Sequence, residues 1–256
     1  MTRNDPISKF YKPLEVAEKI ASFIFILSIL FSIFVIFIDK FKYPYMYSWL
    51  QITLLIFVIA NFISDIVIKL YFSARAASQR MLDFTSNAFD VPLADELSHG
   101  YYNTPQGDIF SKLSTSILEN SLFTKEILQK MLFIERVWVS ACAIFWMIAI
   151  FCRSTNLEIL TAISQALLSQ QILSHWITME WLRARVEKIY DDIYTQIQTF
   201  SIEKEKEFHA LAIKELIEYE SSKALAGISL STKIFKKINN ELSQRWINII
   251  SQLNLR

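Results

Sequence analysis

The amino-acid sequence predicts an all-α integral membrane protein, with four transmembrane helices in two hairpins and a cytoplasmic helical bundle. Three observations lead to this fold class. The chain has only 3 glycines and 5 prolines in 256 residues, and these two residue types are the usual breakers of helices. It is 53% hydrophobic and 14% aromatic. Its apolar residues gather in four long runs, and the segments between the runs have the charged composition of water-exposed helices.

The first two apolar runs predict the first hairpin. Residues 20–38 contain no charged side chain. Because a helix needs about 20 apolar residues to cross the hydrocarbon core of a bilayer, this run predicts a transmembrane helix rather than a cleaved signal peptide. The second run, 47–68, follows after a short turn that is rich in tyrosine. Tyrosine and tryptophan favour the interface between lipid and water.

The last two apolar runs, 137–152 and 157–176, predict the second hairpin. Thr155 and Glu158 between them form a capping box, which starts a new helix at once. A buried hairpin of a soluble domain is the alternative for this pair, because the fourth run contains several glutamines and serines.

Lysine and arginine predict the orientation, since they favour the cytoplasmic side. The turns inside the two hairpins contain only Lys40, Lys42 and Arg153, whereas the other connecting and terminal segments are rich in both residue types. Both termini are therefore expected in the cytoplasm. The predicted domains are a cytoplasmic N-terminal segment 1–19, hairpin 20–68, cytoplasmic helix-loop-helix 69–131, hairpin 132–176 and cytoplasmic C-terminal helices 177–256.

Polar residues inside the predicted spans are candidates for a functional site. Asn61, Asp65 and Lys69 are spaced four apart, so they lie on one face of a helix. The fourth run adds a second polar set, which includes Gln165, Ser169 and His175. Ionisable groups in lipid usually face the interior of a helix bundle or a water-filled cavity. Two interpretations remain open: hydrogen bonds that only hold the helices together, or the lining of a pore.

The stretch SHGYYNTPQGD, residues 98–108, holds two of the three glycines. It predicts a loop between two helices. The first continues from the second span over Lys69–Phe89 and ends before Pro92. The second is expected to start with Thr104 as N-cap and to carry Asp108 in its first turn.

The loop and its neighbours also suggest a ligand site. Tyrosine rings stack on bases and cationic side chains hold phosphates. The candidate ligand-binding residues have such side chains or an amide: Arg75, Gln79, Arg80, Tyr101, Tyr102, Asn103 and Lys112. Arg75, Gln79 and Arg80 are expected together on the surface of the first of the two helices. A loop that only reverses the chain is the alternative.

A last amphipathic helix is predicted after Gly227, with Ser231 as its N-cap. Its apolar residues recur at helical spacing: Ile234, Ile238, Leu242, Trp246, Ile249 and Ile250. This face is expected to pack on the bundle of the chain itself, or to bind outside the chain, to a protein partner or to the membrane surface.

Enzyme motifs are missing from the sequence. It contains no phosphate-binding glycine loop, no zinc motif and no nucleophile elbow. Cys142 and Cys152 give no metal signature and are expected to be reduced packing residues. The net charge of +1 does not favour DNA binding. We therefore expect no catalytic residue, no metal and no cofactor.

Two stretches resemble a known family. Arg75–Leu93, RAASQRMLDFTSNAFDVPL, and Ile117–Ile127, ILENSLFTKEI, are similar to the cytoplasmic region of the SMODS-associated four-transmembrane effectors. Proteins of that family accompany nucleotide-cyclase-like enzymes in bacterial anti-phage signalling systems. The resemblance implies an effector that responds to a cyclic oligonucleotide, damages the inner membrane and stops phage spread by halting the host.

The expected function is therefore that of a non-enzymatic membrane effector of anti-phage defence. The lipid bilayer and further copies of the chain, in a homo-oligomer, are its expected partners, and a cyclic oligonucleotide is its expected ligand. Two alternatives remain: a membrane-anchored adaptor that recruits a soluble partner through the last helix, and a small ion channel.

Overall fold

The structure, a computed structural model, describes residues 7–93, 108–151, 170–200 and 205–253. Within these ranges every regular element is a helix and none is a strand, which confirms the all-α prediction. The α-helices are α1 (Ser8–Phe37), α2 (Pro44–Val67), α3 (Ala74–Phe89), α4 (Ile109–Phe151), α5 (His175–Gln198), α6 (Glu205–Ala226) and α7 (Thr232–Gln252). Two π-helical segments, π1 (Ile68–Ser73) and π2 (Gln170–Ser174), join α2 to α3 and lead into α5.

Three helical segments are long and apolar enough to span a membrane. They are Lys9–Val35, Pro44–Phe89 and Ile109–Phe151, and they cover most of the first and third predicted spans and all of the second. The fourth predicted span, 157–176, falls mainly on residues outside the described ranges. Only its end is described, as π2 and the first residues of α5.

The chain divides into two compact units. We call one the bundle unit: Met1–Lys12, Ser73–Leu132 and Met179–Arg256. We call the other the apolar unit: Pro13–Phe72 and Phe133–Thr178. Each unit is described by itself.

The core of the bundle unit is made by helices that bury one side each. On α5 the buried residues are spaced alternately three and four apart, as in helices that pack nearly parallel to their neighbours: Met179, Leu182, Val186, Ile189 and Ile193. On α4 the buried apolar residues include Leu118, Leu122, Leu128 and Leu132. This spacing is why charged segments of the sequence still form a packed bundle.

Side-chain contacts join α4 to α5 and to α7, and join α5 to α6. The Lys125 ammonium lies 3.5 Å from the centre of the Tyr190 ring of α5, an arrangement that favours a cation. Arg185 of α5 forms an ion pair of 3.2 Å with Glu218 of α6. Arg245 of α7 reaches back to α4 and donates a hydrogen bond of 2.6 Å to Glu126.

The amphipathic helix α7 forms as predicted. The Ser231 side chain accepts a hydrogen bond of 3.3 Å from the N–H group of Ile234, so it caps the helix. Leu242, Trp246 and Ile249 are buried, and Phe235 lies 6.2 Å from the ring of Phe123. The apolar face of α7 therefore packs against α4, which was the first of the two predicted alternatives.

The start of α4 differs from the prediction. The helix begins at Ile109, and Asp108 precedes it rather than lying in its first turn. The Asp108 carboxylate accepts hydrogen bonds from the N–H groups of Phe110 and Ser111, at 3.1 and 3.2 Å. Burial raises the pKa of Asp108, but the bonds from Ser111 and Phe110 outweigh this and hold the pKa below its usual range. Asp108 therefore caps this helix, and Thr104 lies outside the described residues.

The apolar unit exposes most of its apolar side chains. No residue of α2 is buried, and large apolar residues are exposed along α1, α2 and the second half of α4. Packing within the unit includes an edge contact between the rings of Phe31 and Phe57, at 5.1 Å, and a small cluster around Val139 and Ile172. Such surfaces are typical of helices that face lipid.

The turn between α1 and α2 is built by Asp39. Its carboxylate accepts hydrogen bonds from the N–H groups of Phe41 and Lys42, at 2.8 and 3.3 Å, as aspartate does in Asx-turns. Tyr45 and Trp49 follow directly and are exposed. This tight turn makes α1 and α2 a hairpin.

Candidate functional site

Asn61 lies within the polar face that the sequence predicts on α2. Its side chain donates a hydrogen bond of 3.1 Å to the carbonyl oxygen of Phe57, one turn earlier. Its Oδ1 atom is buried and has no hydrogen-bond partner among the described residues. An unpaired buried acceptor is costly. This oxygen is therefore available to a polar group that the described residues do not supply.

Three charged residues of the apolar unit lie within electrostatic reach of a titratable one, His175. We call Asp65, Lys69, Glu135 and His175 the charged cluster. The carboxylates of Glu135 and Asp65 and the ammonium of Lys69 all act on the imidazole of His175. Three separate parts of the chain supply them: the end of α2 with π1, the middle of α4, and the first residue of α5.

The charged cluster contains three of the predicted intramembrane residues and one that sequence reasoning missed. Asp65, Lys69 and His175 come together in the structure, with Glu135 beside them. The sequence signal for Glu135 is its place two residues before the apolar run 137–152, where it looks like a flanking charge. Gln165 and Ser169 lie outside the described residues. A pore-lining role for these residues stays a prediction.

The chemistry of the charged cluster is that of cation and proton binding. The charged groups that act on the His175 imidazole are two carboxylates and one ammonium. Charges interact more strongly among apolar side chains than in water, and ionisable groups inside a membrane usually mark the path of an ion or proton.

The arginines of α3 are placed against aromatic side chains of α1. The Arg75 guanidinium lies 5.4 Å from the centre of the Phe10 ring, and that of Arg80 lies 5.6 Å from the centre of the Tyr11 ring. The predicted surface position of Arg80 is wrong, because its side chain is only 13% exposed and lies 3.8 Å from the buried carboxylate of Asp83. Arg75 is exposed, as predicted.

The other predicted ligand-binding residues are spread over the bundle unit. Gln79 is half-buried on α3. The Lys112 ammonium forms an ion pair of 2.8 Å with Asp90, the residue that ends α3. Tyr101, Tyr102 and Asn103 lie outside the described residues. The described part of the chain therefore brings Lys112 to the end of α3, while Arg75 and Arg80 bind the first turns of α1.

A buried polar network lies between α4 and α6, and sequence reasoning missed it. The hydroxyl groups of Thr124 and Tyr219 are 2.8 Å apart. The Tyr219 hydroxyl also donates a hydrogen bond of 3.3 Å to the carbonyl oxygen of Asn120. Both side chains are buried, so these bonds replace water for groups that would otherwise be unpaired.

The same network extends to Lys223, which lies near α1 and α3. Its ammonium is 3.4 Å from the Glu220 carboxylate and 4.7 Å from the centre of the Tyr219 ring. Burial lowers the pKa of Lys223, but Glu220, with smaller contributions from Tyr219 and Tyr11, raises it well above its usual range. Lys223 therefore stays protonated and holds one positive charge at the half-buried edge of the bundle. Sequence reasoning missed Lys223, because the charged run around it looked like a solvated helix face.

No group of three or more His, Cys, Asp or Glu side chains suited to a metal ion occurs in the part of the chain that the structure describes. Comparison of the chain with protein-family models, curated proteins and solved structures finds no match. The resemblance to the four-transmembrane effectors therefore rests on the two quoted stretches alone.

Proposed function

We propose that this protein is a membrane effector of bacterial anti-phage defence. A cyclic oligonucleotide, or another infection signal, binds the bundle unit, and copies of the chain then rearrange as a homo-oligomer and permeabilise the inner membrane. Both termini and the bundle unit face the cytoplasm. The observation that carries this proposal is the charged cluster, because it lies among helices that are long and apolar enough to span a membrane.

The exposed apolar surface supports membrane insertion. Leaving apolar side chains in water costs about 25 cal/mol for each Å², and α2 buries none of its residues. A lipid environment removes this cost. It also makes the charged cluster expensive unless its members face one another or water, and the electrostatic action of Glu135, Asp65 and Lys69 on His175 agrees with members that face one another.

The polar interior of the bundle unit supports a protein that changes state. A ligand shifts an equilibrium only if it binds one state better than the other. Moving a 1:99 population to 99:1 needs about 5.5 kcal/mol of differential affinity. Hydrogen-bonded and ionic contacts such as Arg80–Asp83 and Glu220–Lys223 are directional, so a bundle built on them favours discrete arrangements over gradual deformation.

The arginines of α3 support a phosphate-bearing ligand. Phe10 and Tyr11 already cover one side of Arg75 and Arg80. A nucleotide has both an aromatic base and phosphates, so it competes for the same contacts. Arg75 is the better candidate of the two, because it is exposed.

The test is dye release from liposomes that contain the purified chain, with a panel of cyclic di- and trinucleotides. We expect one nucleotide to trigger release. Arg75→Ala should raise the nucleotide concentration needed by about tenfold, the effect of losing about 1.4 kcal/mol of binding. Glu135→Gln should lower the rate of release without changing that concentration, because Glu135 lies in the charged cluster and not in the bundle unit.

The ion-channel alternative is favoured by the two carboxylates of the charged cluster. It predicts leakage of small cations without any nucleotide, and no release of dye.

In the dye-release test, Glu205→Gln, an exposed change on α6, is the matched control for Glu135→Gln. Absence of nucleotide-triggered release from correctly inserted protein contradicts the effector proposal.

The adaptor alternative has to use a different surface from the one predicted. The apolar face of α7 is already buried against the chain itself, with Trp246 only 1% exposed. A partner would therefore bind the polar face, which includes the exposed Lys236 and Lys237. The variant K236E/K237E should leave nucleotide-triggered release unchanged if the protein is an effector, and should abolish recruitment if it is an adaptor.

A further inference from the structure

Glu215 occupies a position that normally holds an apolar residue. The buried residues of α6 include a core stripe, with members spaced alternately four and three apart: Phe208, Ala212, Glu215, Tyr219, Ser222 and Ala226. Glu215 lies in the middle of this stripe, and its side chain is 0% exposed. Glutamate is almost never fully buried unless it is paired.

The pairing of Glu215 is incomplete. One carboxylate oxygen, Oε1, accepts a hydrogen bond of 2.8 Å from the ammonium of Lys214, whose side chain is 50% exposed. The other oxygen, Oε2, is buried and has no hydrogen-bond partner among the described residues. Among the described residues, Lys214 is therefore the one hydrogen-bond donor to the Glu215 carboxylate.

The charges that face Glu215 include two further carboxylates. Lys214 and Glu218 act on it from α6, and Asp192 acts on it from α5. Glu218 already has cationic partners, since it lies 3.2 Å from Arg185 and 3.6 Å from Lys214. Lys214 is therefore shared between two carboxylates. Like charges in close proximity disfavour ionisation of the more buried one.

We infer that Glu215 is an acid-sensitive switch in the bundle unit, which strengthens the packing of α6 when it is protonated and weakens it when it is ionised. The protonated carboxyl group carries no charge, so its burial costs much less than that of the carboxylate. It also removes the repulsion from Asp192 and Glu218. The inference stands on the core position, the unpaired oxygen and the neighbouring carboxylates.

The titration of Glu215 sets the direction of the effect. Burial raises the pKa of this carboxyl above its usual range, and the hydrogen bond and charge of Lys214 only partly offset the increase. The folded protein thus holds the proton more tightly than the unfolded chain does, whose glutamate has a pKa of about 4.3. The stabilising contribution is complete below that value and is lost as the pH rises through the folded-state pKa.

The test is thermal unfolding of the full chain in detergent micelles between pH 5 and pH 8, followed by circular dichroism. Glu215→Gln keeps the shape of the protonated side chain and cannot ionise. We expect it to raise the melting temperature at pH 8 by roughly 2–4 °C and to reduce the difference from the wild type toward pH 5. Glu215→Met should also raise the melting temperature at pH 8, because apolar residues often replace buried charges without loss of stability.

Glu241→Gln, on the exposed side of α7, is the matched control and should follow the wild-type pH profile. The inference is overturned if Glu215→Gln and Glu215→Met both melt at or below the wild-type temperature at pH 8. It is also overturned if the difference between the wild type and Glu215→Gln is the same at every pH. Neither result depends on the effector proposal, because no membrane permeability is measured.

Discussion

At the scale of single residues, polar side chains inside the bundle unit are the least predictable part of this protein. Thr124, Tyr219 and Glu215 lie on helices whose sequences look like ordinary amphipathic or solvated segments. Each is buried, and each needs a specific partner. Leaving a buried polar group unpaired costs more free energy than a hydrogen-bonded pair contributes to stability. These residues therefore constrain how α4 and α6 pack.

The hydrogen bond between Thr124 and Tyr219 gives a direct prediction. Thr124→Val or Tyr219→Phe alone should cost about 1–3 kcal/mol of unfolding free energy, because each leaves a buried hydroxyl with fewer partners. The double variant should cost less than the sum of the two. Chemical denaturation of the four proteins in detergent measures this cycle, with Tyr194→Phe on the half-buried surface of α5 as control. Strictly additive effects would show that the two hydroxyls do not interact.

The candidate site shows what residue-level reasoning achieves and where it ends. Helical spacing placed Asp65 and Lys69 on one face, and the structure adds His175 to them. Spacing within one helix carries no information about another helix, so Glu135 was missed. Helical spacing placed Arg80 on the surface with Arg75 and Gln79, but the structure places its side chain beside a buried carboxylate, that of Asp83.

At the scale of elements, the sequence predicts most helices well. The apolar run 20–38 lies within α1 except for its last residue. The helix expected to end at Phe89 ends there, and α7 begins after Ser231, as predicted. Two features were not predictable in the same way. The π-helical segments depend on packing, since no residue type specifies the extra residue in the turn. The start of α4 depends on a choice between Thr104 and Asp108, and both residue types are good caps.

The cap of α7 gives a prediction at this scale. Ser231→Ala removes the acceptor of the Ile234 N–H group and should cost about 1 kcal/mol of unfolding free energy. Ser251→Ala, an exposed change near the other end of α7, should lower the unfolding free energy by only a small fraction of that amount. Thermal unfolding of both variants makes the comparison. Equal melting temperatures for the two would contradict a capping role for Ser231.

At the scale of the whole molecule, one chain combines a packed bundle with helices whose apolar surfaces are exposed. The pattern of the sequence predicted this combination, because apolar runs and charged segments alternate along the chain. The number of spans depends on residues 152–169, which lie outside the described ranges. The effector proposal requires that the helices cross the membrane and that the bundle unit lies on one side of it.

The most direct measurement is therefore the side of the membrane on which each unit lies. In a chain without Cys142 and Cys152, single cysteines at Lys40, in the turn between α1 and α2, and at Lys206, in α6, are treated with a membrane-impermeant maleimide in intact cells. We predict labelling of the cysteine at position 40 without permeabilisation and labelling of the one at position 206 only after it. Labelling of both positions without permeabilisation would contradict the four-span arrangement with a cytoplasmic bundle unit, and with it the effector proposal.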